Sequence, residues 1–416
     1  MDAAAPLPPL SLYVHFPWCV RKCPYCDFNS HALRAELPEG RYIEALLTDL
    51  AREQLHARDR PVLSIFLGGG TPSLFSPSAM ARLLEGCARM LRLADALEVT
   101  LEANPGTIER GRFADYRAAG ITRVSLGAQS FSDAQLQRLG RIHAADDTRR
   151  AAEELHAAGL ANFNLDLMYG LPGQDEDAAC ADVQAALSLA PAHISHYQLT
   201  LEPGTLFAAH PPEALPDTDR GAELQHACQQ RLAQAGFAQY EVSAYARPGA
   251  RCRHNLNYWE FGDYLGIGAG AHGKRTLAAG SAPTLSGLRI ERTAKWREPR
   301  RYLAAVEGAL ETVAELRSVT ADELPFEYLM NALRLREGFA PAQFEARTGL
   351  PRQVIADGWQ SLQRRGLLEV ADGHWRASER GFDLLNGLLA EFLPAPARTL
   401  PKPGTARVGS GQAPLA

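Results

Sequence analysis

The sequence lacks any apolar run long enough to cross a bilayer, which argues against a membrane-spanning protein. It also lacks a basic surplus: the formal net charge is −5, so there is neither a basic footprint for nucleic acid nor a strong field of one sign. The opening stretch MDAAAPLPPL has no basic n-region and no sustained apolar segment, so we expect no secretory signal. These absences predict a cytoplasmic protein with no nucleic-acid partner.

Cysteine is scarce, with seven residues in a chain of 416. An odd number in a large protein expected in the cytoplasm argues against a disulfide framework. Three of the seven, Cys19, Cys23 and Cys26, fall within eight residues and form the pattern C-x-x-x-C-x-x-C. The other four are scattered, and we interpret them as packed thiols. The clustered three therefore require a chemical explanation.

The first half of the chain alternates short β-rich runs with longer amphipathic stretches. Six such units predict parallel strands, because each crossover between parallel strands needs a helix. The pattern is typical of an α/β barrel or an open part-barrel, and periodicity alone does not separate the two. The predicted strands are residues 10–16, 62–68, 97–103, 123–129, 162–170 and 193–201.

Composition divides the chain into five predicted segments. A Gly- and aromatic-rich bridge follows the alternating part, and it ends in a stretch, 297–316, that we expect to be helical. Three helices, a hairpin with an Asp-Gly turn and a last helix then predict a winged-helix-like α+β domain. The segments are an N-terminal extension at 1–9, the part-barrel at 10–246, the bridge at 247–318, the winged-helix-like domain at 319–394 and a disordered Pro- and Gly-rich tail at 395–416.

The three cysteines lie in YVHFPWCVRKCPYCDFNSH, directly after the first predicted strand, and so in a loop. Three thiolates can bind three irons of a 4Fe-4S cubane and leave the fourth iron open. S-adenosylmethionine (SAM) can chelate that iron through its amino and carboxylate groups, and an electron from the cluster can then split its sulfonium. The alternative is a structural zinc ion, with His15 or His31 as the fourth ligand.

Polar or Gly-rich features recur where successive predicted strands end. LGGGTPS (67–73) follows the second strand, where its glycines either let backbone amides approach a polar ligand or form a tight turn. Active sites of parallel α/β barrels form at this end of the strands, so the shared location indicates one site. The single residues concerned are Glu102, Gln129, Asp166 and Thr200.

With these motifs the sequence resembles the radical SAM superfamily, and within it the oxygen-independent coproporphyrinogen III oxidase-like group, over residues 10–394. The resemblance implies a partial (β/α)6 barrel with a winged-helix-like C-terminal domain. It also implies a 4Fe-4S cluster on Cys19, Cys23 and Cys26, supplied with electrons by a reductant. The SAM contacts that it implies are Tyr13, Tyr25, Gly69, Gly70, Thr71, Glu102, Gln129, Arg141 and Asp166.

The segment HNLNYW (254–259) is similar to the H-N-x-x-Y-W signature of the HemW-type haem chaperones. This likeness implies that the protein binds haem as cargo and delivers it to acceptor haem proteins, such as respiratory proteins. His254 is the implied axial ligand, because neutral imidazole binds haem iron well, whereas a lone histidine among aromatics is more often a packed residue. Homodimerisation and transient contact with membranes through the acceptors are compatible with this hypothesis.

The alternative function is an oxygen-independent coproporphyrinogen III dehydrogenase that acts through a 5'-deoxyadenosyl radical. Phe28 stands where those oxidases have an additional cysteine, and only about ten residues precede the first strand, so we do not expect this activity. A third hypothesis is DNA binding by the winged-helix-like domain. Only Arg364 and Arg365 cluster there, so we favour a lid or a protein-contact surface instead.

Overall fold

The computed structural model describes residues 7–107, 112–278 and 287–394. The predicted disordered tail and most of the N-terminal extension lie outside these ranges. The strands are β1 (Leu10–Phe16), β2 (Trp18–Cys19), β3 (His31–Ala32), β4 (Val62–Gly69), β5 (Leu93–Ala103), β6 (Arg123–Gln129), β7 (Phe163–Tyr169), β8 (His193–Gln198), β9 (Ala238–Gln239), β10 (Ala244–Ala246), β11 (Asp263–Ile267), β12 (His272–Ala278), β13 (Leu288–Lys295), β14 (Val313–Ser318), β15 (Leu368–Ala371) and β16 (His374–Ala377).

The helices complete the chain order. They are α1 (Glu39–Glu53), α2 (Pro77–Met90), α3 (Arg112–Ala118), α4 (Asp133–Arg138), α5 (Ala145–Ala157), α6 (Glu176–Ser188), α7 (Leu206–Ala209), α8 (Thr218–Gln234), α9 (Arg253–Trp259), α10 (Pro299–Glu307), α11 (Leu324–Ala332), α12 (Pro341–Thr348), α13 (Gln353–Arg364), α14 (Glu379–Asp383) and α15 (Leu385–Leu389). Among the described residues, no helix is both long and apolar enough to span a membrane.

One twelve-stranded sheet forms the body of the protein, in the order β14-β13-β12-β11-β1-β4-β5-β6-β7-β8-β10-β9. The six predicted strands correspond to β1 and β4 to β8, which are parallel neighbours, so the predicted part-barrel is confirmed. β11 adds a seventh parallel strand beside β1, with Leu10 opposite Asp263. Antiparallel strands extend both ends of this parallel region.

Burial explains why these segments fold as they do. Every residue of β1 is buried, as expected for a parallel strand covered on both faces. Helix α1 buries one side, including Tyr42 and Leu46, against the sheet, because its apolar residues recur at helical spacing. Tyr42 also contacts Trp18, with ring centroids 4.8 Å apart, and so ties α1 to the strand that begins the cysteine loop.

The bridge contains a helix that the sequence did not predict. The segment Arg253–Trp259 forms α9, although the side chain of its N-cap residue, Cys252, makes no capping hydrogen bond. The cap comes from Glu98 on β5, whose carboxylate accepts the backbone N–H groups of Arg253 and His254, each at 3.2 Å. A carboxylate at a helix N-terminus satisfies donors that have no partner within the helix. The expected helix over 297–316 is correct only for Pro299–Glu307, because Val313–Ser318 pairs with β13 as an edge strand.

The C-terminal segment folds in the predicted order, with three helices, a hairpin and a last helical segment that is broken into short pieces. The hairpin turn has positive φ at both Asp372 (50°) and Gly373 (77°), as a two-residue Asp-Gly turn requires. A separate apolar core holds this segment together, and in it Trp359 and Trp375 stack 4.4 Å apart. The segment contacts the rest of the chain at several points, among them Phe261, whose ring centroid lies 5.4 Å from that of Tyr328, and Arg292, which pairs with Glu327.

Candidate functional site

The cysteine loop leaves the sheet at the carboxyl end of β1. β2 and β3 pair in parallel, with Cys19 opposite Ala32, and so close the loop that carries the three thiols. Pro24 in this loop accepts the N–H of Phe207 at 3.0 Å, and Phe207 lies 6.3 Å from Tyr25 between ring centroids. The loop is therefore held against the neighbouring segment after β8, and its thiols remain partly exposed and unoxidised.

The described residues do not form a preassembled site for a single zinc ion. Among the described residues, no three His, Cys, Asp or Glu side chains converge on one point, which is what a zinc ion needs. His15 does not offer a free nitrogen: its Nδ1 lies 2.9 Å from Tyr13 Oη and its Nε2 lies 2.8 Å from Asn29 O. A cubane binds each thiolate through a different iron, so its ligands stay apart.

Burial raises the pKa of the Cys19 thiol, and it raises the pKa of Cys26 to about 11, with nearby cysteines adding to both rises. Both thiols are therefore protonated at neutral pH in the metal-free protein. Because iron binds the thiolate, cluster insertion must release these protons.

The glycine-rich segment forms a tight turn against the base of the cysteine loop. Gly69 has a φ of 109°, and a Cβ atom there would lie 2.5 Å from the His15 ring. The N–H groups of Gly70 and Thr71 donate to the backbone carbonyls of Phe16 and Trp18, at 2.6 and 2.7 Å. These two amides are therefore bonded within the protein, the glycines allow close packing at the turn, and a SAM contact at Gly69, Gly70 and Thr71 stays a prediction.

Two carboxyl groups lie on the parallel strands: Glu102 is one residue before the end of β5, and Asp166 is in the middle of β7. Glu102 Oε2 accepts the N–H of Gly69 at 2.8 Å. Burial raises the pKa of Glu102 to about 8, and the neighbouring Asp166 adds to that rise. Burial also raises the pKa of Asp166, although Asn164 Nδ2 donates to it at 2.8 Å. The two acids lie close enough to influence one another, and a cation bound beside them would favour their ionised forms.

Gln129 and Arg141 complete the same end of the sheet. Gln129 adopts a positive φ of 67°, which is strained for a residue other than glycine, and its Oε1 accepts the hydroxyl of Tyr197 at 2.6 Å. Arg141 Nη2 donates to Gly127 O at 2.7 Å, and Nη1 lies 3.7 Å from Cys23 Sγ. Gln129 and Arg141 thus lie at the end of the sheet that carries the cysteine loop. Tyr13 does not, since it lies in the middle of β1 with its ring 6.4 Å from that of His254.

Sequence reasoning missed two polar groups at this site. Tyr197 donates its hydroxyl to Gln129. Thr200, which is predicted on the same strand, lies beyond Gln198, the last residue of β8. The Oγ atom of Ser30 lies 3.8 Å from the Sγ atom of Cys26. The alternation of β8 could have indicated Tyr197, but Ser30 follows the loop without any periodic signal.

His254 occupies the interior of the barrel at a different level from the cysteine loop. It is 1% exposed, its Nδ1 lies 2.9 Å from Ser64 Oγ, and its Nε2 lies 2.8 Å from Tyr258 Oη. Its ring also stacks on Phe66, 5.0 Å away. Burial lowers the pKa of His254 to about 3, so the imidazole is neutral. Both nitrogens are engaged in this conformation, and ligation by His254 remains a prediction.

Strand β4 passes both places: Ser64 lies beside His254, and Gly69 lies beside the base of the cysteine loop. The five residue steps from Ser64 to Gly69 correspond to about 16 Å of strand. The predicted haem ligand and the predicted cluster ligands therefore lie at separate places along the barrel.

Comparisons with known proteins cover nearly the whole chain. The family model of the radical SAM superfamily matches residues 13–185, and that of the HemN C-terminal domain matches residues 319–384. The heme chaperone HemW of Escherichia coli (strain K12) is 49% identical over 93% of this chain and 99% of its own length. That of Haemophilus influenzae is 47% identical, with 93% and 98% covered.

A mitochondrial relative and one solved structure extend the comparison. The mitochondrial radical S-adenosyl methionine domain-containing protein 1 of Mus musculus is 38% identical over 92% of this chain and 87% of its own. The structure of coproporphyrinogen III oxidase (HemN) from Escherichia coli, a radical SAM enzyme, superposes with a TM-score of 0.76 at 21% identity, covering 94% of this chain and 91% of that one. At that identity it shows the fold alone.

Proposed function

Since the chain belongs to the HemW family of haem chaperones, within the radical SAM superfamily, we propose that it binds haem and delivers it to acceptor haem proteins. The observation that carries this proposal is the identity of 49% over almost the full length of a heme chaperone HemW. HNLNYW, which lies within the matched length, supports it further. Haem-requiring respiratory proteins are the acceptors we propose.

Membership of the radical SAM superfamily implies SAM and a 4Fe-4S cluster. We assign the cluster to Cys19, Cys23 and Cys26, whose partly exposed thiols share one loop at the carboxyl end of β1. Such a cluster supplies one-electron chemistry and an iron that can hold a chelating ligand. Tyr13, Tyr25, Gly69, Gly70, Thr71, Glu102, Gln129, Arg141 and Asp166 are the residues assigned to SAM.

We assign haem ligation to His254, and the structure defines what this requires. Either Ser64 or Tyr258 must release a ring nitrogen, and the buried ring must reach the haem. Helix α9 has only seven residues and depends on Glu98 for its cap, and haem ligation requires this buried helix to move or open. The neutral ring already has the protonation state that binds iron.

Titration of the purified, full-length protein with haem tests this function. The wild type should bind haem stoichiometrically, and His254→Ala should bind it at least about tenfold more weakly, because the axial bond is lost. Tyr258→Phe is the matched variant: it keeps the aromatic face but removes the hydroxyl that competes for Nε2. It should bind haem as tightly as the wild type or more tightly.

The outcomes separate two claims. A wild-type protein that does not bind haem would contradict the function itself. Undiminished binding by a folded His254→Ala variant would contradict only the choice of ligand. Absorbance of the haem band follows binding, and circular dichroism checks the fold of each variant.

Glu102→Gln tests the SAM assignment. SAM carries a sulfonium cation, which an ionised Glu102 stabilises and a glutamine does not, although glutamine keeps the acceptor for Gly69 N–H. The loss of a charge-assisted contact of about 1.5–3 kcal/mol should weaken SAM binding roughly tenfold or more. Glu98→Gln, on the same strand but bonded to α9, should leave SAM affinity unchanged.

The pKa of Glu102 also predicts that the affinity for SAM depends on pH. Because the pKa of Glu102 in the SAM-free protein is about 8, raised by burial and by Asp166, the carboxyl is protonated at lower pH and ionises as the pH approaches 8. Wild-type affinity for SAM should rise over that interval, and the affinity of Glu102→Gln should not. Calorimetric titration of the cluster-loaded protein at several pH values measures both; parallel pH profiles would argue against the assignment.

A further inference from the structure

Each of the three cysteines assigned to the cluster has at least one polar side chain against its sulfur. The three partners come from different parts of the chain: the glycine-rich turn, the segment after α4 and the end of the cysteine loop. The contacts are Thr71 Oγ1 to Cys19 Sγ at 3.4 Å, Arg141 Nη1 to Cys23 Sγ at 3.7 Å and Ser30 Oγ to Cys26 Sγ at 3.8 Å. At least one donor therefore faces each sulfur, and Ser30 also lies against Cys19 and Tyr25 against Cys23.

The direction of these bonds follows from chemistry. A cysteine that ligates iron is a thiolate and carries no proton, so its sulfur can only accept. Arg141 has no acceptor atom in its guanidinium, and the hydroxyls of Thr71 and Ser30 turn their protons toward the sulfurs. All three side chains then donate to sulfurs that bear the charge of the cluster.

The donors are held in place. Thr71 and Ser30 are each 5% exposed, and Arg141 is anchored by its second bond, to Gly127 O at 2.7 Å. Ser30 is also fixed through its backbone, because its N–H donates to Phe28 O at 2.7 Å. Groups fixed in a partly dry site interact with charge more strongly than groups exposed to water.

We propose that Ser30, Thr71 and Arg141 set the reduction potential of the cluster by donating hydrogen bonds to its ligand sulfurs. This inference rests on the proposed function, because it presupposes the cluster. Reduction adds one negative charge, part of which resides on the sulfurs, so donors stabilise the reduced cluster more than the oxidised one. Their presence raises the potential and eases reduction by the electron donor.

Ser30 gives the cleanest test. Thr71 and Arg141 are also assigned to SAM, so replacing them changes two interactions at once. Ser30 is not assigned to SAM, and Ser30→Ala removes its hydroxyl while keeping the backbone bond to Phe28. Thr71→Val, which keeps the shape of the side chain, is the second variant.

The experiment is a redox titration of the full-length, anaerobically reconstituted protein without SAM, followed by electron paramagnetic resonance. The comparison is made at the potential where half of the wild-type cluster is reduced. There the ratio of reduced to oxidised cluster should be roughly three- to tenfold lower in each variant than in the wild type. A tenfold fall corresponds to a reduction potential that is lower by about 59 mV for one electron. Thr100→Val is the matched control. Within the described residues, the buried Thr100 hydroxyl has no hydrogen-bond partner, so its loss should leave the potential unchanged.

Iron and sulfide contents are measured first. A wild-type protein without them would contradict the proposed function, whereas clusters of full content with unshifted potentials in both variants would overturn this inference alone. If Thr71→Val loses the cluster, Ser30→Ala and Thr71→Ser decide. The inference is supported if Thr71→Ser keeps the wild-type reduction potential and Ser30→Ala has a lower one. Any other combination of these two results contradicts it.

Discussion

Replacement of Cys23 by alanine should abolish the iron–sulfur cluster. Even residues that only support metal ligands cost about 10–100-fold in affinity when replaced, and the loss of one of three ligands should exceed that. Iron and acid-labile sulfide per chain should therefore fall to near background after reconstitution, and the spectral response to SAM should disappear. Cys87→Ala is the control. Cys87 is a fully buried core thiol on α2, so its replacement should leave the iron and sulfide contents unchanged.

The same variant should keep its haem binding. His254 lies beside Ser64, about 16 Å along β4 from Gly69, so losing the cluster leaves the surroundings of α9 intact. Normal iron content in Cys23→Ala would refute the ligand assignment. Wild-type protein isolated with zinc instead of iron would refute the cluster itself.

Replacement of Asp263 by alanine should strongly destabilise the fold. This fully buried carboxylate accepts hydrogen bonds from Lys274 Nζ at 3.0 Å, Arg60 Nη1 at 2.8 Å and the backbone N–H of Thr276 at 3.0 Å. Its removal leaves the buried ammonium of Lys274 without a counter-charge. Breaking such a pair typically costs about 3–5 kcal/mol, which guanidinium unfolding monitored by circular dichroism can measure.

An exposed ion pair provides the matched control. Glu307 pairs with Arg41 at the surface, and Glu307→Ala should change the free energy of unfolding by less than about 1 kcal/mol. Replacing Asp263 and Lys274 together, as Asp263→Leu with Lys274→Met, should recover part of the loss, because the buried ammonium of Lys274 is then removed as well and only Arg60 has lost its carboxylate partner. An Asp263→Ala variant as stable as the wild type would show that Lys274 finds another partner.

The parallel strands were predictable because their apolar runs are continuous and separated by amphipathic helices. Both ends of β1 and of β6 match the prediction, and the Asp372-Gly373 turn was recognised from its dipeptide. Cysteine spacing likewise indicated a metal site, because ligand spacing is local in the sequence.

The unpredicted parts depend on contacts between distant residues. Helix α9 is short, buried and capped by Glu98, which lies 155 residues before Arg253 and leaves no local signal. The segment VAELRS of β14 is composed of good helix formers, yet pairing with β13 makes it a strand. For the same reason the engagement of both His254 nitrogens was not foreseeable, since Ser64 stands 190 residues away.

The pairing of β1 with β11 has a consequence for biosynthesis. β1 begins at Leu10, and its partner on one side, β11, begins at Asp263, so that edge of β1 stays open until most of the chain has left the ribosome. The other edge pairs with β4, which follows after about fifty residues. The cysteine loop also waits for late residues, because Asn29 Nδ2 donates to the backbone carbonyls of Ala269 and Arg297, and such contacts between distant residues are slow to form. During translation, we therefore expect both the cysteine loop and the surroundings of His254 to be completed only after β11 has been synthesised.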